Sequence, residues 1–311
     1  MAGVNWITDF EWGWRSLRVK KTGATVPFSR SIIAEAAAWL RFYAAARAME
    51  PEAGPTFTVA FAPDRARPWY LIWPVIRAAG GRIVDDPAQA DILFQFEDST
   101  VGHAHAPPPG IRARPLNFAA TDVSKTRVGE AFAQAFGYPL TVDPTTHVGP
   151  AVEKSEHNGA HDGRIVTCPT QPRPGRVYQR VVDNRCAARP GLVEDIRSPT
   201  LAGRPPVVFL KRRRVFERFA NANAEVIMTR PEDVYSPTEL KNIATFCGIL
   251  GLDWGGLDVL RDVGEGRLYI VDANKTDMGP PTALPLAEKL HATRTLAKAF
   301  RAFVARPLDG G

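Results

Sequence analysis

Residues 256–274, Gly-Leu-Asp-Val-Leu-Arg-Asp-Val-Gly-Glu-Gly-Arg-Leu-Tyr-Ile-Val-Asp-Ala-Asn, constrain the fold more than any other stretch of the chain. Two apolar runs of strand composition flank Gly264-Glu265-Gly266, a pattern that predicts a hairpin closed by a three-residue loop. Such a loop pairs Val263 with Arg267, and counting back from that pair sets Asp258 directly opposite Asp272. The strand period of two then predicts Leu268, Ile270, Asp272 and Asn274 on one face, so that Asp258, Asp272 and Asn274 converge. Opposed β-carbons lie roughly 4.5–5.5 Å apart, so two unpaired carboxylates there would repel and one would tend to take up a proton. A hard cation removes that conflict. A few oxygen ligands, with room for water and phosphate oxygens, favour Mg2+ over a Ca2+ cage or a zinc site. A solvent-exposed acidic hairpin is the plainer reading, and the apolar residues around both carboxylates count against it.

A chain of 311 residues, 45% of them apolar, can bury a large core in two or three lobes. Its three cysteines, Cys168, Cys186 and Cys247, are widely spaced and lack a paired-ligand pattern. They indicate neither a disulfide framework nor structural zinc, and a reducing cytoplasm is the expected location. No run of about 18 uninterrupted apolar residues occurs, and the amino terminus lacks the basic start of a signal peptide, so no membrane span or secretion is expected. The formal net charge of +6 is modest for this length and includes one dense cluster, Lys211-Arg212-Arg213-Arg214.

Along the chain, a Trp-rich start leads into an Ala-rich helix at 31–48 with Ile33, Ala37, Leu40 and Ala44 on the stripe expected to dock. A strand at 57–62, a helix from Pro68 carrying Trp69, Ile72, Trp73 and Ile76, and strands at 82–84 and 91–96 read as a small Rossmann-like lobe. His103 and His105 fall in a Pro-rich loop without acidic or thiol partners and are assigned no metal. A helix at 123–136, capped by Asp122 or Ser124 and stopped at Gly137, opens the next lobe. Strands at 151–154 and 164–167 bracket a polar loop containing Gly159 and Gly163. Its backbone amides can turn toward anionic oxygens, and Lys154 at the strand end supplies a fixed positive charge. His157 and His161 have helical spacing, but the Asn, Asp and Gly residues around them argue against a helix. After a strand at 177–183 comes an irregular, proline-bearing linker over 185–204. In the next strand, 207–215, alternation separates Lys211 and Arg213 from Arg212 and Arg214, so one pair can face a phosphate while the other stays solvated. Ser236-Pro237-Thr238-Glu239 is a capping box, and the apolar stripe that follows makes Cys247 a packing residue. A last helix spans 285–304.

Lys154 with its glycine-containing loop, the Gln179–Asp183 strand before a linker, the basic strand, and finally Asp258 with Asp272-x-Asn274 resemble, in this order, the ATP-grasp superfamily. The match covers roughly residues 119–283, and its last element is the most specific. The resemblance implies a mixed α/β and α+β chain: two α+β subdomains, 119–184 and 205–311, clasping ATP, preceded by a Rossmann-like lobe at 51–118 and an N-terminal extension, 1–50. It implies that Lys154 and the loop with Gly159 and Gly163 contact the nucleotide phosphates. Gln179, the Val181 backbone and Asp183 would hold adenine and ribose, and Lys211 and Arg213 would face the transferring phosphoryl group. Asp258, Asp272 and Asn274 would bind one or two Mg2+ ions.

The implied activity is an ADP-forming, Mg-dependent ligase that activates a small-molecule or peptide-like carboxylate as an acyl phosphate and joins it to an amine or other nucleophile. Lys275, just after the metal motif, would line the acceptor pocket and join Lys211 and Arg213 in catalysis. Two departures stand out: Asp272 occupies a position where many ligases carry Glu, and the loop is poorer in glycine than usual. The shorter acid is compatible with ATP-grasp kinases, which keeps phosphorylation of a hydroxyl as an alternative. A nucleic-acid-binding role for the basic cluster is disfavoured, because its charges alternate across a strand and no aromatic platform accompanies them. A homo-oligomer is compatible with this reading.

Overall fold

The protein is described by a computed structural model covering residues 6–20, 25–103, 110, 112–160, 162–219 and 223–306, with the Ser31 side chain excepted. His105 and His161 lie outside the described residues. After the Trp-rich start comes a small antiparallel sheet that no strand signal predicts, β1 (Phe10–Trp12), β2 (Ser16–Val19) and β3 (Thr25–Pro27). Helix α1 (Arg30–Ala48) follows, its first turn capped by the Ser29 hydroxyl. The expected stripe is not the one that docks: Ile33 and Leu40 are 57% and 49% exposed, while Phe42 and Ala46 are buried. The aromatic residues decide the face, because Trp39, Phe42, Tyr43 and Ala46 follow helical spacing and offer more area than the aliphatic set. Trp39 stacks on Tyr43 at 5.4 Å, and Tyr43 meets Trp73 at 5.3 Å.

Strands β4 (Phe57–Pro63), β5 (Gly81–Ile83), β6 (Ile92–Phe96) and β7 (Arg114–Leu116) form a parallel sheet in the order β5-β4-β6-β7, with helix α2 (Ile72–Ala78) in the first crossover. The helix starts later than Pro68, and this places Pro74 in its first turn, where a missing N–H is tolerated. All five residues of β6 are buried, as befits an inner parallel strand.

Helix α3 (Lys125–Phe136) has its cap at Ser124 and its stop at Gly137, which takes φ 79°. Strands β8 (Gly149–Ser155), β9 (Arg164–Cys168) and β10 (Arg176–Arg180) form a three-stranded antiparallel sheet, order β10-β8-β9. The expected linker is a correction. Residues 192–201 form β11 (Leu192–Leu201), the central strand of a five-stranded sheet with β12 (Val208–Arg214), β13 (Glu225–Thr229), β14 (Trp254–Arg261) and β15 (Leu268–Asn274), order β13-β12-β11-β14-β15. Its charges and Pro199 disguised it. Pairing with β12 ends at Arg197, so Pro199 lies where the strand has a neighbour on one side only and its missing N–H is tolerated.

Alternation gives this sheet two different faces. One carries Ile196, Val208, Leu257, Val259 and Ile270 against Val128, Ala131 and Phe132 of α3 and Ile243, Phe246, Cys247 and Leu250 of helix α4 (Pro237–Leu250). Burial pushes the Cys247 thiol up to about 12, consistent with packing rather than nucleophilic chemistry. The other face changes character along the strands. At one end Leu201, Val207, Phe209 and Trp254 join the parallel-sheet lobe and helix α5 (Leu286–Val304) in a common core, with Phe300 edge-on to Trp254 at 6.1 Å. At the other end the same face carries Asp195, Arg197, Lys211, Arg213 and Asp258. Asn117 fixes the junction, its buried amide donating to the Trp254 carbonyl (2.7 Å) and accepting from the Trp254 N–H (2.8 Å).

The β14–β15 hairpin sets Asp258 opposite Asp272, but by a different route from the one expected. Arg261 pairs with Leu268 and the tip is closed by Asp262–Arg267 and Gly266–Asp262 backbone hydrogen bonds, so Val263 is not opposite Arg267. A β-bulge between the Val259–Ile270 and Asp258–Asp272 pairs takes up the extra residue. Ile270 therefore faces the α3–α4 core with Val259, whereas Asp272 faces the other way with Asp258. Leu268, Ile270, Asp272 and Asn274 do not share one face.

Candidate active site

The charged end of the five-stranded sheet and one face of the β8-β9-β10 sheet enclose a cavity of about 230 Å3. Register explains which side chains enter it. Gln179 pairs with Val152 on neighbouring strands, and Lys154 lies two residues along β8, so all three share a face. Lys211 and Arg213 alternate away from Arg212, and Asp195, opposite Lys211, joins them. Six Lys and Arg side chains and four Asp side chains line the space, an excess of positive charge that suits an anion.

Lys154 donates to the Val271 carbonyl at 2.9 Å. Burial lowers its pKa to about 8, with Asp272 opposing the shift and Lys125 adding to it. Gln179 is 2% exposed, and its Nε2 has no hydrogen-bond partner among the described residues. A buried amide left in that state is costly unless a ligand satisfies it. Gly159, with φ +72°, and Gly163 line the cavity from the β8–β9 loop. That loop is folded down: Asn158 donates to the Ala273 carbonyl (3.0 Å), accepts from Lys125, and its N–H reaches the Thr100 hydroxyl (2.9 Å).

Asp258 accepts from Arg197 at 2.9 Å and Lys211 at 3.1 Å, and Asp272 accepts from Lys125 at 2.6 Å. Burial acts to raise the Asp258 pKa, but Arg197 and Lys211 outweigh it and hold the carboxyl well below the usual range. This corrects the sequence argument: neither carboxylate is unpaired, so repulsion between them does not by itself demand a metal. Their chemistry still fits Mg2+. That ion is commonly held by one or two carboxylates plus phosphate oxygens, and among the described residues no cluster of three His, Cys, Asp or Glu could form an all-protein cage.

Four candidates lie elsewhere. Asn274 accepts from the Thr276 N–H at 2.9 Å in a tight turn and does not line the cavity. Lys275 is 4% exposed and turned toward Glu97, Asp98 and Asp122, outside the cavity. Asp183 grips Arg185 through both carboxylate oxygens, and its neighbours Val182 and Asn184 line the cavity instead. Val181 does not line it either, and its backbone N–H and C=O make no hydrogen bond among the described residues. Residues 181–184 behave as a connector between the two sheets, anchored at the hairpin tip. There Asp262, 7% exposed, accepts from the Asp183, Gly264 and Glu265 N–H groups, while Val263 donates to the Asp183 carbonyl at 2.8 Å. Arg212 is also a correction: it is not solvated but buried against Glu194 (2.7 Å) and Glu225 (2.9 Å).

Sequence reading missed three contributors. Arg197, which also pairs with buried Asp277, and Asp195, which pairs with Arg213, were hidden in the supposed linker. Lys125 opens α3, where the helix dipole favours acids, and a cation there was a legible anomaly.

No protein-family model matches the chain and no curated protein matches it. Among solved structures it is similar to several ATP-grasp ligases. One is the ligase PsnB in complex with a minimal precursor, at 13% identity and TM-score 0.48, covering 78% of this chain and 99% of that one. Another is the D-cycloserine synthetase DcsG, at 12% and 0.48, covering 80% and 100%. A third is the macrocyclase MdnC bound with precursor peptide MdnA from Microcystis aeruginosa, at 10% and 0.45, covering 81% and 100%. Likenesses this distant carry no argument for substrate or reaction, which rest on the site itself. Among the described residues no helix is long and apolar enough to cross a membrane.

Proposed function

We propose that the chain is an ATP-grasp ligase that uses Mg-ATP to activate a carboxylate as an acyl phosphate and passes the acyl group to an amine or other nucleophile, releasing ADP and phosphate. The observation that carries this reading is the convergence of Lys154 and Gln179 from one sheet with Lys211, Arg213, Asp258 and Asp272 from the other on a single cavity. Lys154 and Lys211 bind phosphate oxygens, and the Gln179 amide receives the base edge. Asp258 and Asp272 hold Mg2+, which when bound neutralises charge on the phosphate oxygens. Arg213, fixed by Asp195, faces the phosphoryl group as its charge spreads. The substrate carboxylate oxygen takes the γ-phosphoryl group as ADP leaves. The nucleophile then attacks the acyl carbon, phosphate departs, and the nucleophile gives up its proton.

A volume of about 230 Å3 is small beside the roughly 300–1,000 Å3 of typical ligand pockets, so the β8–β9 loop lifts for entry and closes to exclude water. Product analysis with a panel of carboxylates and amines tests the reading: ADP and phosphate are expected, and hydroxylamine traps the acyl phosphate as a hydroxamate. Appearance of AMP, or of a stable phosphate ester with no hydroxamate, would replace it.

A further inference from the structure

The β8–β9 loop is held at both ends, by different means. At its far end a β-carbon added to Gly163 would come within 3.1 Å of the Phe219 ring, an apolar contact that no ion disturbs. At its near end the first turn of α3 holds it by hydrogen bonds and charge. The Thr126 N–H, at 3.0 Å, and the Thr126 hydroxyl both donate to Glu156, and the Lys125 ammonium donates to the Asn158 side-chain oxygen. Lys125 is 5% exposed, lines the first cavity, and gives a second hydrogen to Asp272 at 2.6 Å. It thus joins the loop to a carboxylate read above as a metal ligand. Its seat depends on those two partners, because the helix start on which it stands disfavours a cation.

Asp272 is the fixed partner of the two. Residues 272–278 wall the first cavity off from a second, of about 680 Å3, with Asp272 lining the first and Met278 the second. The second lies beyond the carboxyl ends of β4 and β6 and is lined by Phe10, Trp69, Tyr70 and Phe96 with Asp64 and Asp98. From that side the Leu71 N–H holds the Asp277 carbonyl and Asp98 holds the Thr276 hydroxyl, each at 2.9 Å, while pairing with Asp258 holds Asp272 on the other. An ion that binds Asp272 therefore cannot push the carboxylate aside, and repulsion between like charges falls on the ammonium. We propose that Lys125 is a positioning residue that couples the loop to the metal site: a divalent cation on Asp272 displaces its ammonium, breaks the hold on Asn158 and loosens the loop for nucleotide entry. The coupling rests on the ligase reading for Asp272 as a metal ligand.

The test follows Mn2+ binding by electron paramagnetic resonance and amide hydrogen exchange of residues 156–160 in the full-length protein without nucleotide, with Mg-ADP titrated in parallel. Saturating Mn2+ speeds that exchange about tenfold in the unaltered chain, as loss of a local hold implies. Lys125→Gln keeps a donor for Asn158 without the charge; it binds Mn2+ at least about tenfold more tightly, and the ion no longer speeds exchange. Lys125→Met, which lacks the donor as well, binds Mn2+ as tightly as Lys125→Gln but exchanges fast with or without the ion. A lysine that merely anchors the loop would change exchange in Lys125→Met and leave Mn2+ affinity unaltered in both variants. That result overturns the proposal, and so does exchange in the unaltered chain that Mn2+ does not change. Failure of Mg-ADP to bind the unaltered chain, with the Mn2+ results as expected, overturns the ligase reading and leaves the coupling standing.

Discussion

The two cavities lie on either side of one short segment, yet they are made of opposite materials by opposite means. The first takes most of its charges from strands, where pairing dictates which side chains enter it: Gln179 beside Val152, Asp195 beside Lys211, Asp258 beside Asp272. The second takes rings and carboxylates from loops, from the N-terminal sheet and from the end of β6, brought together only when that sheet packs on the parallel-sheet lobe. A strand fixes the direction of every second side chain, whereas a loop leaves direction to its neighbours. On the reading proposed above, the charges that would hold phosphates in one arrangement sit on the stiff framework.

The largest expected effect tests whether the two regions depend on a common core. Phe300 is fully buried between Phe57 of the parallel sheet and Trp254 of the five-stranded sheet. Phe300→Ala should cost about 3–5 kcal/mol in denaturant unfolding, with tryptophan fluorescence and Mg-ADP binding lost in one transition. Two separate transitions would break the comparison into independent units.

Next, Asp272→Ala should slow ADP formation about 100- to 1,000-fold, near 2.7–4 kcal/mol. Retained turnover would remove Asp272 from the metal site. Lys154→Ala should raise the Mg-ADP dissociation constant about 10- to 100-fold, roughly 1.4–2.8 kcal/mol.

The smallest effect concerns the framework of the first cavity. Burial acts to raise the pKa of Glu153, but the Tyr178 hydroxyl at 3.0 Å and the guanidinium groups of Arg164 and Arg173 outweigh it and leave it depressed. A depressed carboxylate contributes stability that is present above its unfolded pKa and lost as pH falls through its folded value. Thermal melts should therefore show a decline below about pH 4.3 that is shallower in Glu153→Gln than in the unaltered chain. Parallel acid limbs would assign the decline to other groups.

Legibility followed the same division. Strand alternation was enough to separate Lys211 and Arg213 from Arg212 and Arg214. It failed where local chemistry contradicted tertiary need. Pro199 and a run of charges concealed the central strand β11, and Trp39 and Tyr43 outcompeted the aliphatic stripe of α1. The bulge at Val271 cancelled a loop one residue longer than expected, so a correct pairing came from a wrong turn. Arg197 was invisible because its partner Asp277 lies 80 residues away, and although a lysine opening α3 stands out, no local pattern joins it to Asn158 or Asp272. Nothing in the sequence marked the second cavity, because no periodicity records how one sheet packs on another.

The clasp between Asp262 and Asp183 gives the hairpin a mechanical side. At about 3.3 Å per residue, Asp262 stands about 13 Å along β14 from Asp258. A turn of the small sheet about that clasp would leave the carboxylate pair in place but break the Lys154–Val271 and Asn158–Ala273 hydrogen bonds. On a lever arm of that length, a turn of roughly 10° carries a side chain about 2 Å, the difference between touching a phosphate oxygen and losing it.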